Sequence, residues 1–168
     1  MSSPSFDGET IVVTLALHGV RFVVIGGWAV EAHGVAYSTN DVDIIIEPSV
    51  TNVATLCEAL AELDATYLQL PGSTQRIRPT VERIAPMTGT ALLQTRCGRL
   101  DVMKESGGHT YASLTASKLL VATIGNCRIP IASLAFVADM KIKAGREKDK
   151  RALPAIMARL RELEGERD

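Results

Sequence analysis

A chain of 168 residues, 46% hydrophobic and 22% charged, suffices for one buried core with a small helical appendage and is too short for two independent domains. Its formal charge of −1 provides no global attraction to nucleic acid, so a polyanion would have to bind locally, where Lys141, Lys143, Arg146, Lys148, Lys150 and Arg151 gather. No run approaches the roughly 18 apolar residues of a membrane span, and the N-terminus lacks a secretion-signal pattern. Cys57, Cys97 and Cys127 are too few and too scattered for a disulfide framework or zinc site. The expectation is a cytoplasmic protein with reduced thiols and a single domain over 1–168.

Residues 1–6 are Ser/Pro-rich and expected to fray. Asp7 then caps a helix bearing Ile11, Val12 and Leu15, which Gly19 ends. Phe22 to Ile25 is a β-branched and aromatic run stopping at Gly26-Gly27, and Ala29 to Ala32 suits a short helix before Gly34. A second strand runs from Asp41 to Glu47; Pro48 and Ser49 end it and open a helix bearing Val50, Val53, Cys57 and Leu60. Leu70 to Pro86 holds Pro71, Gly72, Pro79, Arg76, Arg78 and Arg83 with little apolar periodicity, and is predicted to be a loop able to close over a ligand. Thr90 to Arg96 and Arg99 to Met103 form a hairpin around Cys97-Gly98, broken by Gly107-Gly108. Leu119 to Ile124 either pairs with Arg128 to Ile131 across Gly125-Asn126 or continues a helix from Tyr111. The C-terminal part, 133–168, is helical. Ser133 caps a helix whose inward face carries Leu134, Val137, Ala138 and Ile142, with Gly145 near its end. Leu153, Ile156, Leu160 and Leu163 line a last amphipathic helix, which Pro154 should confine to starting nearby, since proline fits only a first turn.

Three acids stand out. Asp41 and Asp43 are two positions apart in a strand, so both carboxylates face one side while Val42 and Ile44 enter the core. Asp101 sits likewise between Leu100 and Val102. Such acids either stand as ordinary solvated strand residues or, this close, repel one another and recruit a hard cation such as Mg²⁺, satisfied by oxygen ligands and phosphate. Gly26-Gly27 follows a strand and opens a helix, where it either simply turns the chain or, lacking side chains, lets phosphate oxygens approach the backbone. Lys141 falls on the inward face of its helix; a buried ammonium there needs an anion, either a triphosphate or one of the acids, unless it snorkels to the core edge. Arg146 and Lys148 either steer a triphosphate or complement a helix end. Trp28 and Tyr37 either stack on a nucleobase or pack at the core rim.

The segment GGWAVEAHGVAYSTNDVDIII, with the third acid in RLDVM, resembles the signature of the polymerase-beta-like nucleotidyltransferase superfamily, and ASLAFVADMKIKAGREKDKRAL resembles the C-terminal motif of small AbiEii-toxin-type members. The resemblance implies an α/β (α+β) fold: a mixed β-sheet flanked by helices, with C-terminal helices. It also implies transfer of a nucleoside monophosphate from a nucleoside triphosphate to an acceptor hydroxyl with release of pyrophosphate, dependent on Mg²⁺ or Mn²⁺. By motif match Asp41, Asp43 and Asp101 hold metal and carry catalysis with Lys141. Gly26, Gly27, Trp28, Thr39, Lys141 and Arg146 contact nucleotide, and Asp149 is the first acid of the C-terminal motif. The chain departs from the motifs at Tyr37, often basic, and at Ala152, commonly a second acid. The acceptor implied is RNA or protein, as for a toxin with an antitoxin partner. Trp28 after the diglycine keeps a lincosamide- or aminoglycoside-type acceptor open, and the two departures keep open a non-catalytic nucleotide- or partner-binding module.

Overall fold

Asp7 starts the first helix as its side chain predicts: the carboxylate accepts from the Thr10 amide at 3.1 Å, and Ile11, Val12 and Leu15 of α1 (Gly8–Leu17) are fully buried. The computed structural model describes residues 5–167, so most of the lead-in expected to fray lies outside the described residues. Phe6, however, packs on the core, and the Asp7 amide donates to the Cys97 carbonyl at 2.8 Å.

Strand β1 (Phe22–Ile25) runs into α2 (Gly26–Ala32), which returns the chain to β2 (Asp41–Ile46). The Ser49 hydroxyl then accepts from the Asn52 amide at 3.2 Å and opens α3 (Val50–Glu62). After β3 (Thr66–Tyr67) the expected loop holds one extra turn, α4 (Val81–Ile84), because Ile84 is fully buried and pins it to the body. Next come β4 (Ala91–Thr95) and β5 (Gly98–Met103), whose hairpin turn needs glycine at Gly98, φ 111°. Gly107-Gly108 does more than break a strand: it turns a small second hairpin, β6 (Glu105–Ser106) with β7 (His109–Thr110). α5 (Tyr111–Thr115) is a single capped helix, and the ambiguous run beyond it is a strand: β8 (Leu120–Ile124) pairs antiparallel with β9 (Cys127–Ile131).

These strands form one seven-stranded mixed sheet in the order β3-β4-β5-β2-β1-β9-β8. The pairs β2–β5 and β1–β9 are parallel and the rest antiparallel. Helices flank it, and the central strands β1 and β2 are the most deeply buried, with Val23, Val24, Ile44 and Ile45 wholly inaccessible. No helix among the described residues is long and apolar enough to cross a membrane.

The C-terminal helices, α6 (Leu134–Ala144) and α7 (Glu147–Gly165), differ from expectation in two ways. Ile142 is 57% exposed, because the buried stripe runs through Leu134, Val137, Ala138, Met140 and Lys141 and turns the next position outward. Helix α7 begins well before Pro154 and carries it in its interior. Its start is fixed instead by Asp149, which accepts from the Arg146 amide at 3.3 Å. Pro154 lies on the exposed side, where water can satisfy the carbonyl its missing N–H leaves free.

Candidate active site

The pleat of β2 leaves Asp41 and Asp43 on one face while Val42 and Ile44 are fully buried on the other. Parallel pairing with β5 sets Asp43 opposite Asp101 and Asp41 opposite Arg99, so two rigid neighbouring strands present all four side chains to the same side. One carboxylate oxygen from each of Asp41, Asp43 and Asp101 lies within 4.8 Å of the others.

Crowding of this kind changes proton affinity. Burial, then the negative charges of Asp41 and Asp101, push the Asp43 carboxyl from 3.8 up to about 7. Burial also raises Asp101, and Asp41 adds to the shift; the guanidinium of Arg99, donating from Nη2 to Asp101 Oδ1 at 3.0 Å, opposes it. Three convergent carboxylates on fixed strands, one holding its proton into the neutral range although the charge of Arg146 opposes the shift, suit a hard divalent cation. Thr39, expected at the nucleotide, touches Asp41: its hydroxyl donates to Asp41 Oδ1 at 2.9 Å and fixes the carboxylate's orientation.

The two glycines play separate parts. Gly26 has φ 70° and stands so close to Asp43 that any Cβ there would strike the carboxylate. It lines a cleft of about 270 Å³ together with Asp43, Asp101, Lys141, Arg146 and Asp149. Gly27 is buried: a Cβ on it would lie 2.5 Å from Tyr37 Cε1 and 3.0 Å from Thr39 Oγ1. Trp28 is not among the cleft residues; its Nε1 packs over Gly8, where a Cβ would come within 2.5 Å.

Lys141 is buried, at 6% exposure, and the anion it requires is Asp149, at 0%. The Lys141 Nζ donates to Asp149 Oδ1 at 3.1 Å, and Arg146 Nε donates to Asp149 Oδ2 at 2.7 Å. Burial works to raise the Asp149 carboxyl, but the hydrogen bonds and charges of Arg146 and Lys141 outweigh it and hold the group below the usual carboxylate range. The shared acid ties the end of α6 to the start of α7 and sets two cations on the rim of the cleft.

Arg99 opens the RLDVM segment without a role in the motif, and its signal in the sequence is its two-residue spacing from Asp101. The cleft wall beyond Asp101 is uncharged, formed by Thr90, Leu92, Met103 and Ser106. Arg76, Arg78 and Arg83 do not reach the cleft, and Arg78 pairs with Asp64 at 3.0 Å. Tyr37 and Ala152, the two departures from the motif pattern, both line a second cleft.

The sequence matches no family model and no curated protein. Among solved structures, TM1012 of Thermotoga maritima, itself assigned as a nucleotidyltransferase by inference, is similar with a TM-score of 0.54, 16% identity and 87% of each chain covered. The antibiotic-resistance factor ANT(2'')-Ia is 14% identical, with a TM-score of 0.47 over 95% of this chain and 94% of the other. In fold, the chain is similar to nucleotidyltransferases: a seven-stranded mixed sheet flanked by helices, with the acids on its central strands.

Proposed function

We propose that the chain is a divalent-metal-dependent nucleotidyltransferase that moves a nucleoside monophosphate from a nucleoside triphosphate to an acceptor hydroxyl. The observation that carries this reading is the convergence of Asp41, Asp43 and Asp101 within 4.8 Å on one face of two adjacent strands. Mg²⁺ or Mn²⁺ would be held by these carboxylates, and when bound would neutralise triphosphate charge and favour ionisation of the acceptor hydroxyl.

The protein's own groups account for the remainder. Gly26, without a side chain, lets Asp43 and the ligand share one small space. Lys141 and Arg146, held by Asp149, supply positive charge for the triphosphate without having to be reorganised when it arrives. Asp101, with its proton affinity raised by burial, takes the acceptor's proton as the acceptor oxygen bonds to the α-phosphorus. The bond from that phosphorus to the β-phosphate oxygen breaks, and pyrophosphate leaves with the electron pair. A toxin-like role on RNA or protein agrees with the sequence resemblance of 132–153.

Pyrophosphate release from labelled nucleoside triphosphates in the presence of Mg²⁺ tests the reading. Asp41→Asn should lower turnover by about a hundredfold or more with the thermal unfolding profile preserved. Turnover equal to that of the parent chain would remove the metal assignment.

A further inference from the structure

Beside the acid cleft lies a second one of about 310 Å³, lined by Tyr37, Ser38, Lys148, Arg151, Ala152 and Ala155 among others. None of its lining residues is acidic. Arg161 aside, the other cations of α6 and α7 are satisfied: Asp149 binds both Lys141 and Arg146, Asp139 takes Lys143, Glu147 takes Lys150 at 3.4 Å and Glu162 takes Arg159. Lys148 and Arg151, by contrast, lie within ion-pair distance of no carboxylate among the described residues. Arg151 donates only to the carbonyl of Glu147, at 3.4 Å, and the Lys148 Nζ lies 5.5 Å from the centre of the Tyr37 ring. The two clefts share no lining residue. Tyr37 stands between them: its ring covers Gly27, and its hydroxyl is 3.5 Å from the Nζ of Lys141, which lines the acid cleft.

The geometry points to a separate phosphate-binding subsite here, made by Lys148 and Arg151 and floored by Tyr37, which docks a phosphate group carried by the acceptor. This rests on the two-substrate reading above. Two uncompensated cations at one concave surface favour a dianion or phosphodiester, with the guanidinium as a forked donor and the ammonium as a point charge. The same charges repel a polycationic antibiotic, so the subsite selects among acceptor classes by sign. Ala152 and Ala155 are small enough to leave the space open.

Calorimetry on the intact chain, without nucleotide, tests this with two probes, ribose 5-phosphate and a short oligoribonucleotide, and a polycationic aminoglycoside as control. At least one phosphate probe binds, and which of them does so identifies the source. K148S/R151S weakens that binding about tenfold or more, K148R/R151K restores it, and Mg-ATP leaves it in place. The subsite is overturned if neither phosphate probe binds, if K148S/R151S binds as tightly as the parent chain, if Mg-ATP displaces the probe, or if the aminoglycoside binds better than both. Asp43→Asn separates the two claims: it should lose Mg-ATP while keeping the phosphate probe. Retention of Mg-ATP there removes the nucleotidyltransferase reading and leaves the phosphate result standing.

Discussion

Metal-free chain should become less stable as pH rises through neutrality, and Asp43 is the reason. The folded protein holds the Asp43 proton up to about 7, whereas the unfolded chain releases it near 3.8, so folding favours the protonated form. That contribution is fully present below the unfolded value and is lost as pH rises through about 7. A separation of this size corresponds to at most about 4 kcal/mol at 1.36 kcal/mol per pH unit. For a chain of this length that is a fall of roughly 8–16 °C in Tm between about pH 4 and pH 8. Asp7, Glu47, Asp139 and Asp149 are shifted downward and act at acid pH, so a bare Tm curve mixes opposite trends. The informative quantity is the difference between the parent chain and Asp43→Asn, which keeps the shape and removes the titration. The variant should be about level with the parent at low pH and the more stable of the two above neutrality without metal. Millimolar Mg²⁺ should then raise the parent and not the variant, more strongly at about pH 8 than at about pH 5, because only ionised carboxylates bind it. If parent and variant run parallel across the range, and Mg²⁺ moves neither, the three acids do not crowd one another as the geometry requires.

Gly26→Ala adds a Cβ that strikes Asp43 at a backbone angle costing about 1–2 kcal/mol for an L side chain, so Mg²⁺-induced stabilisation should disappear while circular dichroism stays native. Asp149→Ala strands Lys141 in the interior and should cost about 3–5 kcal/mol in urea denaturation. The double variant Lys141→Met/Asp149→Leu should regain most of that stability without regaining pyrophosphate release. Arg99→Met removes the cation that opposes the rise of Asp101, and should move the acid limb of the pH–rate profile to higher pH; an unmoved limb would count against Asp101 as the base.

How far the sequence foretells this site depends on which interactions are local. Two-residue alternation is a property of the strand itself, so the facing of Asp41 and Asp43 and the burial of Val42 and Ile44 could be read directly. The alignment of Asp101 with Asp43 depends on parallel pairing between segments far apart in the chain, which no local pattern specifies. Arg99 reaches Asp101 along its own strand, two residues away, but its place opposite Asp41 is set by that register. The glycine pair announces a turn without telling which glycine faces the cleft; that is decided by Tyr37 and Thr39, which close over Gly27. Pro154 misled because a proline's cost depends on whether the freed carbonyl meets water, and sequence does not show which side of a helix is wet.

Lys141 shows how a local inference can be correct in kind and still leave its partner open. Its position demanded an anion, and a triphosphate or one of Asp41, Asp43 and Asp101 qualified; the partner is instead a fourth acid. Asp149 meets that demand in the protein alone, at 3.1 Å, yet it does not exhaust the ammonium. Three N–H donors are available; Asp149 takes one and the Tyr37 hydroxyl, at 3.5 Å, a weaker second. Because Lys141 also lines the acid cleft, a phosphate can engage it with the Asp149 bond intact. A lysine that stays paired is held in place before substrate arrives, which is what an electrostatic role at that position requires.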